Sequence, residues 1–281
     1  MESLIYRFEW NNNQILFSSD ANKNLLRLYV NSENQSTEDI LQIDSIVITI
    51  GGAIMKDISG EQLMMHNMMK NNILDLQIPA IKSTELFYHT LMITCKMKSD
   101  DLPFPIIEMI YDKVSDILQR PSEGLIRGTS VLCFQKVIAM STNHNEDIVI
   151  LPFMHPTFQI AVAFFDDGNK FLPPDIVNSI QLELNDFPFL KEPDKNNWLY
   201  LDKLIHKITI DKKIPVFTLT FETPNTENKK NIFTLSASKF NLKLKIKWSE
   251  LKTGNVRIVI SSCSRNEMLF FGGMVGLKYA N

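Results

Sequence analysis

The sequence predicts an all-β chain folded as two similar antiparallel units in tandem. Short apolar alternations separated by Asn, Asp, Gly and Pro recur along most of the 281 residues, as they do in β-sandwiches and barrels. One strand-and-turn pattern occurs twice: Ile43-Asp44-Ser45-Ile46-Val47-Ile48-Thr49-Ile50-Gly51-Gly52 parallels Val177-Asn178-Ser179-Ile180-Gln181-Leu182-Glu183-Leu184-Asn185-Asp186, 134 residues later. Gly-Gly and Asn-Asp both tolerate the positive φ of a tight hairpin, so the two turns are physical equivalents. A repeat near half the chain length fits two domains of roughly 100–200 residues each.

In order, the alternation predicts strands at Leu4 to Trp10, Gln14 to Ser18, Leu25 to Val30, Ile43 to Ile50, Ile148 to Phe153, Phe158 to Phe165, Ile176 to Leu184, Leu204 to Ile210, Val216 to Phe221, Ile232 to Leu235, Leu242 to Trp248 and Val256 to Ser261. The clearest is Leu242 to Trp248. Leu242, Leu244, Ile246 and Trp248 share one face and Lys243, Lys245 and Lys247 the other, the period of two of a half-buried strand. Two stretches read as helices. From Glu61 to Ile73 the pairs Met64/Met68 and Met65/Met69 share a helix face, with Ser59 as the cap. From Pro105 to Leu118 the residues Ile106, Ile107, Ile110, Val114, Ile117 and Leu118 form a stripe that Arg120-Pro121 ends.

Hydrophobic residues at 44% and charged residues at 22% describe a globular chain. No apolar run is long enough to span a bilayer, and Glu2, Arg7 and Glu9 interrupt the apolar residues a secretory leader would need. Cys95, Cys133 and Cys263 are three and far apart, which predicts reduced, mostly buried thiols rather than a disulfide framework or zinc site. The triplet Asn34-Gln35-Ser36 reads as a loop. Between Lys203 and Lys252, 11 lysines face four acidic residues, a balance of +7; with a chain total of −3 the remainder carries −10. A solvated basic face is one reading, and attraction to an acidic neighbour or nucleic acid the other.

Catalytic patterns are missing. His66, His89, His144, His155 and His206 form no His-x-His or His-Glu-x-x-His, and there is no nucleophile elbow, phosphate loop or dinucleotide fingerprint. Asp166-Asp167-Gly168-Asn169 lacks calcium-loop spacing and reads as a solvated turn. The expectation is no catalytic residue, metal or cofactor, and no small-molecule substrate.

The chain ends in Met268-Leu269-Phe270-Phe271-Gly272-Gly273-Met274-Val275-Gly276-Leu277-Lys278-Tyr279-Ala280-Asn281. This resembles the Gly-Met-x-Gly-Leu-x-(aromatic)-x-Asn end of the double jelly-roll major capsid proteins of the large DNA virus, Polinton and virophage lineage. Leu151-Pro152-Phe153-Met154-His155-Pro156 resembles the Leu-Pro-Phe-Asn-His-Pro that opens the family's second domain. Ile46 to Gly52 and then Gly60-Glu61-Gln62-Leu63 resemble its first-domain segment, with Gln62 where an aromatic is usual. Ile180 to Asp186, Val216 to Pro224 and Phe233 to Phe240 are similar to later segments. Leu102-Pro103-Phe104 departs from the pattern, since the family continues as a strand.

The resemblance implies a tandem double jelly roll, two eight-stranded sandwiches with short helical insertions, at 1–147 and 148–281. It implies a structural role in the virion: a homotrimer forming a pseudo-hexagonal capsomer of an icosahedral shell, assembled inside the host cell. Implied partners are neighbouring capsomers, minor capsid and penton proteins, and an internal membrane or the genome. Gly51, Gly52, Pro152, His155, Pro156, Gly272, Gly273, Met274, Gly276 and Leu277 are then structural motif residues. The glycines at 272, 273 and 276 are expected to need positive φ or close backbone approach, and Leu269, Phe270, Phe271, Met274 and Leu277 to anchor the last strand on the second sandwich. Alternatives are a scaffolding or minor capsid protein of that lineage and a ligand-binding β-sandwich.

Overall fold

The computed structural model describes residues 4–17, 23–31, 36–67, 73–81, 89–113, 127–141, 145–188, 216–220, 222–223, 231–232, 241–250, 252, 254–271 and 274–278. The first eight strands are β1 (Leu4–Arg7), β2 (Gln14–Phe17), β3 (Lys23–Asn31), β4 (Ile43–Ile50), β5 (Ala53–Ile58), β6 (Ile73–Asp75), β7 (Leu91–Met97) and β8 (Ile106–Lys113). They are followed by β9 (Arg127–Ser141), β10 (Glu146–Ile150), β11 (Thr157–Phe165), β12 (Val177–Leu184), β13 (Phe187–Pro188), β14 (Val216–Thr220), β15 (Glu222–Thr223), β16 (Asn231–Ile232), β17 (Leu242–Trp248), β18 (Val256–Phe271) and β19 (Met274–Leu277). Two short helices, α1 (Thr37–Leu41) and α2 (Gly60–Asn67), flank β4 and β5. The expected strand at Leu204 to Ile210 lies outside the described residues.

Packing divides the chain into two units, Met1–Phe134 with Asn266–Asn281, and Gln135–Arg265. This differs from the expected division at 147/148. β9 runs unbroken through position 134, and the chain's end groups with the first unit.

Both units wind the same way. In the first, the sheets run β1-β8-β3-β6 and β2-β7-β4-β5. In the second they run β9-β18-β11-β14 and β10-β17-β12-β13, with β15–β16 as a small extra pair. Numbered within each unit, both orders are 1-8-3-6 and 2-7-4-5, the strand order of a jelly roll. The sequence repeat is a structural repeat as well. The β4–β7 ladder slips register between Ile43 and Ser45, and the β12–β17 ladder slips between Val177 and Ser179, at the same offset of the repeat. Gly51 and Gly52 have φ of 55° and 83°, Asn185 and Asp186 of 52° and 65°, and each pair turns a hairpin closed by Ile50↔Ala53 or Leu184↔Phe187.

Apolar alternation builds the cores. In the second unit Leu242, Leu244, Ile246 and Trp248 point inward to join Phe164, Phe217 and Ile180. Phe164 meets Trp248 and Phe217 edge-on at 5.3 and 5.8 Å. The lysines on the opposite face of β17 are engaged on their own sheet: Lys243 with Asp186, and Lys245 with Glu146 at 2.8 Å. In the first unit Leu28, Val30, Ile46, Ile48, Ile50, Ile93 and Ile107 are fully buried.

The helix expected over Pro105 to Leu118 is instead the strand β8, followed by residues outside the description. β8 lies between β1 and β3, so both its ladders are satisfied by pairing, and Ile107, Met109 and Tyr111 fill the core by alternation. Tertiary pairing here overrides a pattern that both periods fit. The helix expected over Glu61 to Ile73 is described over Gly60–Asn67 and does not reach Ile73, which begins β6. Ser59 does cap it: Gln62 N donates to Ser59 Oγ at 3.4 Å, and Ser59 N donates to Gln62 Oε1 at 3.1 Å. Gln62, the departure from the family pattern, is therefore half of a capping box. Met64 and Met65 are buried; Met68 and Met69 lie outside the described residues. Ser36, the end of the Asn34-Gln35-Ser36 triplet, caps α1 reciprocally with Asp39.

Candidate functional site: the converging motif segments

Within the first unit, two motif segments more than two hundred residues apart in sequence come together. β19 packs on β5. The β4–β5 turn sits so close to β19 that a Cβ on Gly51 would stand 2.7 Å from Val275 Cγ1 and 2.6 Å from His89 Nδ1. Gly51 therefore answers two demands, a positive φ and close approach, whereas Gly52 answers only the first, since a Cβ there meets open space. His89 stacks at a tilt 6.5 Å from Phe270, and burial lowers its pKa.

β19 pairs back on β18 from Phe271↔Met274 to Met268↔Leu277. Lys278 fastens its end, donating from N to Glu267 O at 2.8 Å and from Nζ to Glu267 Oε2 at 2.9 Å. Gly276 is ordinary strand: its φ is not positive, and a Cβ there would meet nothing within 4 Å. That corrects the expectation for this glycine; Gly272 and Gly273 lie outside the described residues. The expected apolar anchors divide as well. Phe270 is buried, Leu269 and Leu277 half-buried, and Phe271 and Met274 exposed, all grouped with the first unit.

Pro152, His155 and Pro156 connect β10 to β11 as an extended segment. Leu151, Phe153 and His155 turn inward while Pro152, Met154 and Pro156 face out, and no peptide in the described chain is cis. Leu151 and Phe153 enter the second core, and the His155 carbonyl accepts from Thr157 Oγ1 at 3.1 Å. The motif is a packing device.

Sequence reasoning missed three buried polar clusters. In the second unit Asp147 accepts from Ser141 Oγ at 2.5 Å and Trp248 Nε1 at 2.6 Å. Lys252 Nζ donates to Ser141 Oγ and lies 4.8 Å over the Trp248 ring; burial lowers its pKa, opposed by the Asp147 carboxylate. In the first unit Lys56 Nζ donates to Leu132 O at 3.1 Å and lies 3.7 Å over the Phe134 ring, on which His66 also packs at 4.4 Å. Burial and the Lys56 ammonium push the His66 pKa down to about 3. Near β1, Glu108 takes Arg7 at 2.9 Å and Tyr29 Oη at 2.7 Å; burial raises its pKa, but hydrogen bonds from Tyr29, Arg7 and Asn31 together lower it. The only sequence signal for these was polar residues at inward positions.

Among the described residues no cluster of His, Cys, Asp and Glu is arranged to hold a metal. Cys95, Cys133 and Cys263 form no disulfide; burial pushes Cys95 up to about 12 and raises Cys133, which holds both thiols protonated. A cleft of about 270 Å³ lined by Asp39, Gln42, Met97, Leu102, Pro103, Phe104 and Ile106 has one carboxylate, Asp39, which caps α1. No helix among the described residues is long and apolar enough to cross a membrane.

No family model and no curated protein matches the sequence. Solved structures do match. The capsid protein in a quasi-atomic model of the PBCV-1 virus capsid aligns with a TM-score of 0.66 at 13% identity, covering 100% of this chain and 93% of that one. The mavirus major capsid protein aligns at 0.53 and 10% identity, covering 98% and 90%. The major capsid protein P2 of bacteriophage PM2 aligns at 0.53 and 9% identity, covering 94% and 98%. With the same strand order in both units and alignment over nearly the full length of each relative, the chain has the double jelly-roll fold of these viral capsid proteins.

Proposed function

We propose that the chain is a major capsid protein, forming homotrimeric, pseudo-hexagonal capsomers of an icosahedral virus shell. The observation that carries this is whole-chain agreement: both units, in order, match proteins whose structures are those of viral capsids. Physical logic adds to it. Two similar units per chain give six similar units in a trimer, and near-equivalent edges repeated around a ring tile a shell through modest contacts. In this reading its partners are other capsomers together with minor capsid and penton proteins, and its place is the virion. Attraction to a genome through the lysines of β17 draws no support, because Lys243 and Lys245 are paired with Asp186 and Glu146.

Native mass measurement and electron microscopy of the purified protein test the proposal. Trimers with a hexagonal outline are expected. A strict monomer at all concentrations, absent from assembled particles, overturns it, while abundance only in immature particles transfers the chain to a scaffolding role.

A further inference from the structure

The cleft beside α1 in the first unit is formed by two segments that are held in place before anything enters it. Lys98 N donates to Gln42 O at 2.8 Å, tying the end of β7 to the end of α1. Trp10 braces the loop that leads into β8: its ring lies 5.2 Å from that of Phe104, and its Nε1 donates to Pro105 O at 2.7 Å. Met97, Leu102, Phe104 and Ile106 line the cleft with apolar surface, and Asp39 and Gln42 add a carboxylate and an amide. Asp39 uses only one oxygen to cap the helix. The Ser36 N–H and hydroxyl both donate to Oδ2 at 2.8 Å, which leaves Oδ1 open.

The rim is acidic. Glu38, Asp39, Asp100 and Asp101 are exposed on the two segments that form it, while the nearby lysines are engaged, Lys96 with Asp44 at 2.7 Å and Lys98 with Glu61 at 3.0 Å. Hydrogen bonds from Ser36, the N–H first and then the hydroxyl, lower the Asp39 pKa and keep its carboxylate charged at neutral pH. At about 270 Å³ the cleft falls below the roughly 300–1,000 Å³ of small-molecule pockets and suits a single long side chain. Arginine and lysine lay an apolar stem along apolar surface and keep a charged head at its end, and the several donors of a guanidinium match a carboxylate oxygen together with an amide oxygen. Carboxylates outside the cleft complement further basic residues flanking the one inside, so the charge pattern fits a polypeptide segment better than a lone cation. We propose that this cleft docks a basic segment of a separate protein, with one arginine stem against Met97, Leu102, Phe104 and Ile106 and its guanidinium at Asp39 and Gln42. Such docking needs no trimer and stands apart from the capsid reading.

The test is a titration of the full chain, labelled at its methionine methyls, with the capped peptide Gly-Lys-Arg-Lys-Gly, read by NMR at the Met97 signal, which Met97→Leu assigns. A saturable shift of that signal is expected, and none up to about 5 mM peptide, beyond the millimolar range of a single-anchor contact, overturns the proposal. Replacing the peptide's arginine with citrulline, which keeps the shape and removes the charge, is expected to weaken binding about tenfold or more. Asp39→Asn, which keeps an oxygen to cap α1, is expected to weaken it as much, and Asp167→Asn, an exposed carboxylate of the second unit, to leave it unchanged. Equal binding of the citrulline peptide overturns the proposal without needing any variant to fold. Equal loss in Asp39→Asn and Asp167→Asn overturns it too, because net charge alone then explains the attraction. A Met97 signal that shifts on concentrating the protein alone, and not in Asp39→Asn, hands the cleft to a second copy of the chain and overturns the separate partner.

Discussion

Gly60 has an ordinary negative-φ backbone, yet a Cβ there would lie 1.9 Å from the carbonyl oxygen of Ile40, a backbone atom that cannot swing aside. Gly60→Ala must separate α1 from α2 and is expected to destabilise by about 1–3 kcal/mol. Gly51→Ala should cost a similar amount, from positive φ and contact with His89 and Val275, whereas Gly52→Ala carries only the backbone strain of about 1 kcal/mol. Gly276→Ala should be nearly neutral, and urea titration of the four variants checks the ranking. A large loss at Gly276 would contradict the open space beside it. His66 gives a separate test. Its folded pKa of about 3 lies below the ordinary 6.5, so between these values the unfolded chain binds the extra proton. The penalty is absent above pH 6.5 and grows as pH falls, at most about 1.4 kcal/mol per pH unit from this group. Lowered Glu108 acts in the same direction only below its ordinary 4.5, so the window from pH 6.5 to 5 reports histidines, with His89 as the other described contributor. Stability lost over that window should shrink in His66→Gln, and an unchanged slope would discharge His66.

Elements show where sequence patterns decide structure and where they do not. β4, β12 and β17 were legible because one face is apolar and the other polar or turn-bounded, and register within a half-buried sheet is then fixed by burial. β8 was not, because Ile106, Ile107 and Ile110 satisfy a helical stripe and a strand equally, and its two neighbours in the sheet come from residues about eighty to a hundred positions earlier. β5, β7 and β9 escaped for related reasons: Lys56, Lys96 and Lys136 break their apolar runs, and only the fold reveals that Lys56 is buried against Phe134. The helix start at Ser59 was legible, but the partner that completes it was not named. Gln62→Ala removes the acceptor for Ser59 N and should cost about 1 kcal/mol. Lys243→Ala and Lys245→Ala remove partly exposed pairs and should change stability by less than about 1 kcal/mol each, as thermal melts would show.

At the scale of the whole molecule, the chain's end belongs to the unit in which the chain begins. The motif at 272–277 was recognisable in sequence, and its spatial partner, the Gly51-Gly52 turn, was recognised separately; that the two meet required the fold, because no local pattern encodes a contact across the length of a chain. The consequence is a directional prediction for truncation after Leu269. It removes buried Phe270, whose loss typically costs about 3–5 kcal/mol, and all of β19, so Val275 no longer covers the β4–β5 turn and β5 loses the packing of β19 while keeping its pairing with β4. The second unit keeps its own core, built from residues 149–260. Hydrogen exchange read by mass spectrometry on the truncated chain should therefore show lost protection in β4, β5 and β7, with β11, β12 and β17 little changed. If protection instead falls in β11, β12 and β17, the terminal strand serves the second sandwich after all; if it falls nowhere, β19 is a tail that the first unit does not need.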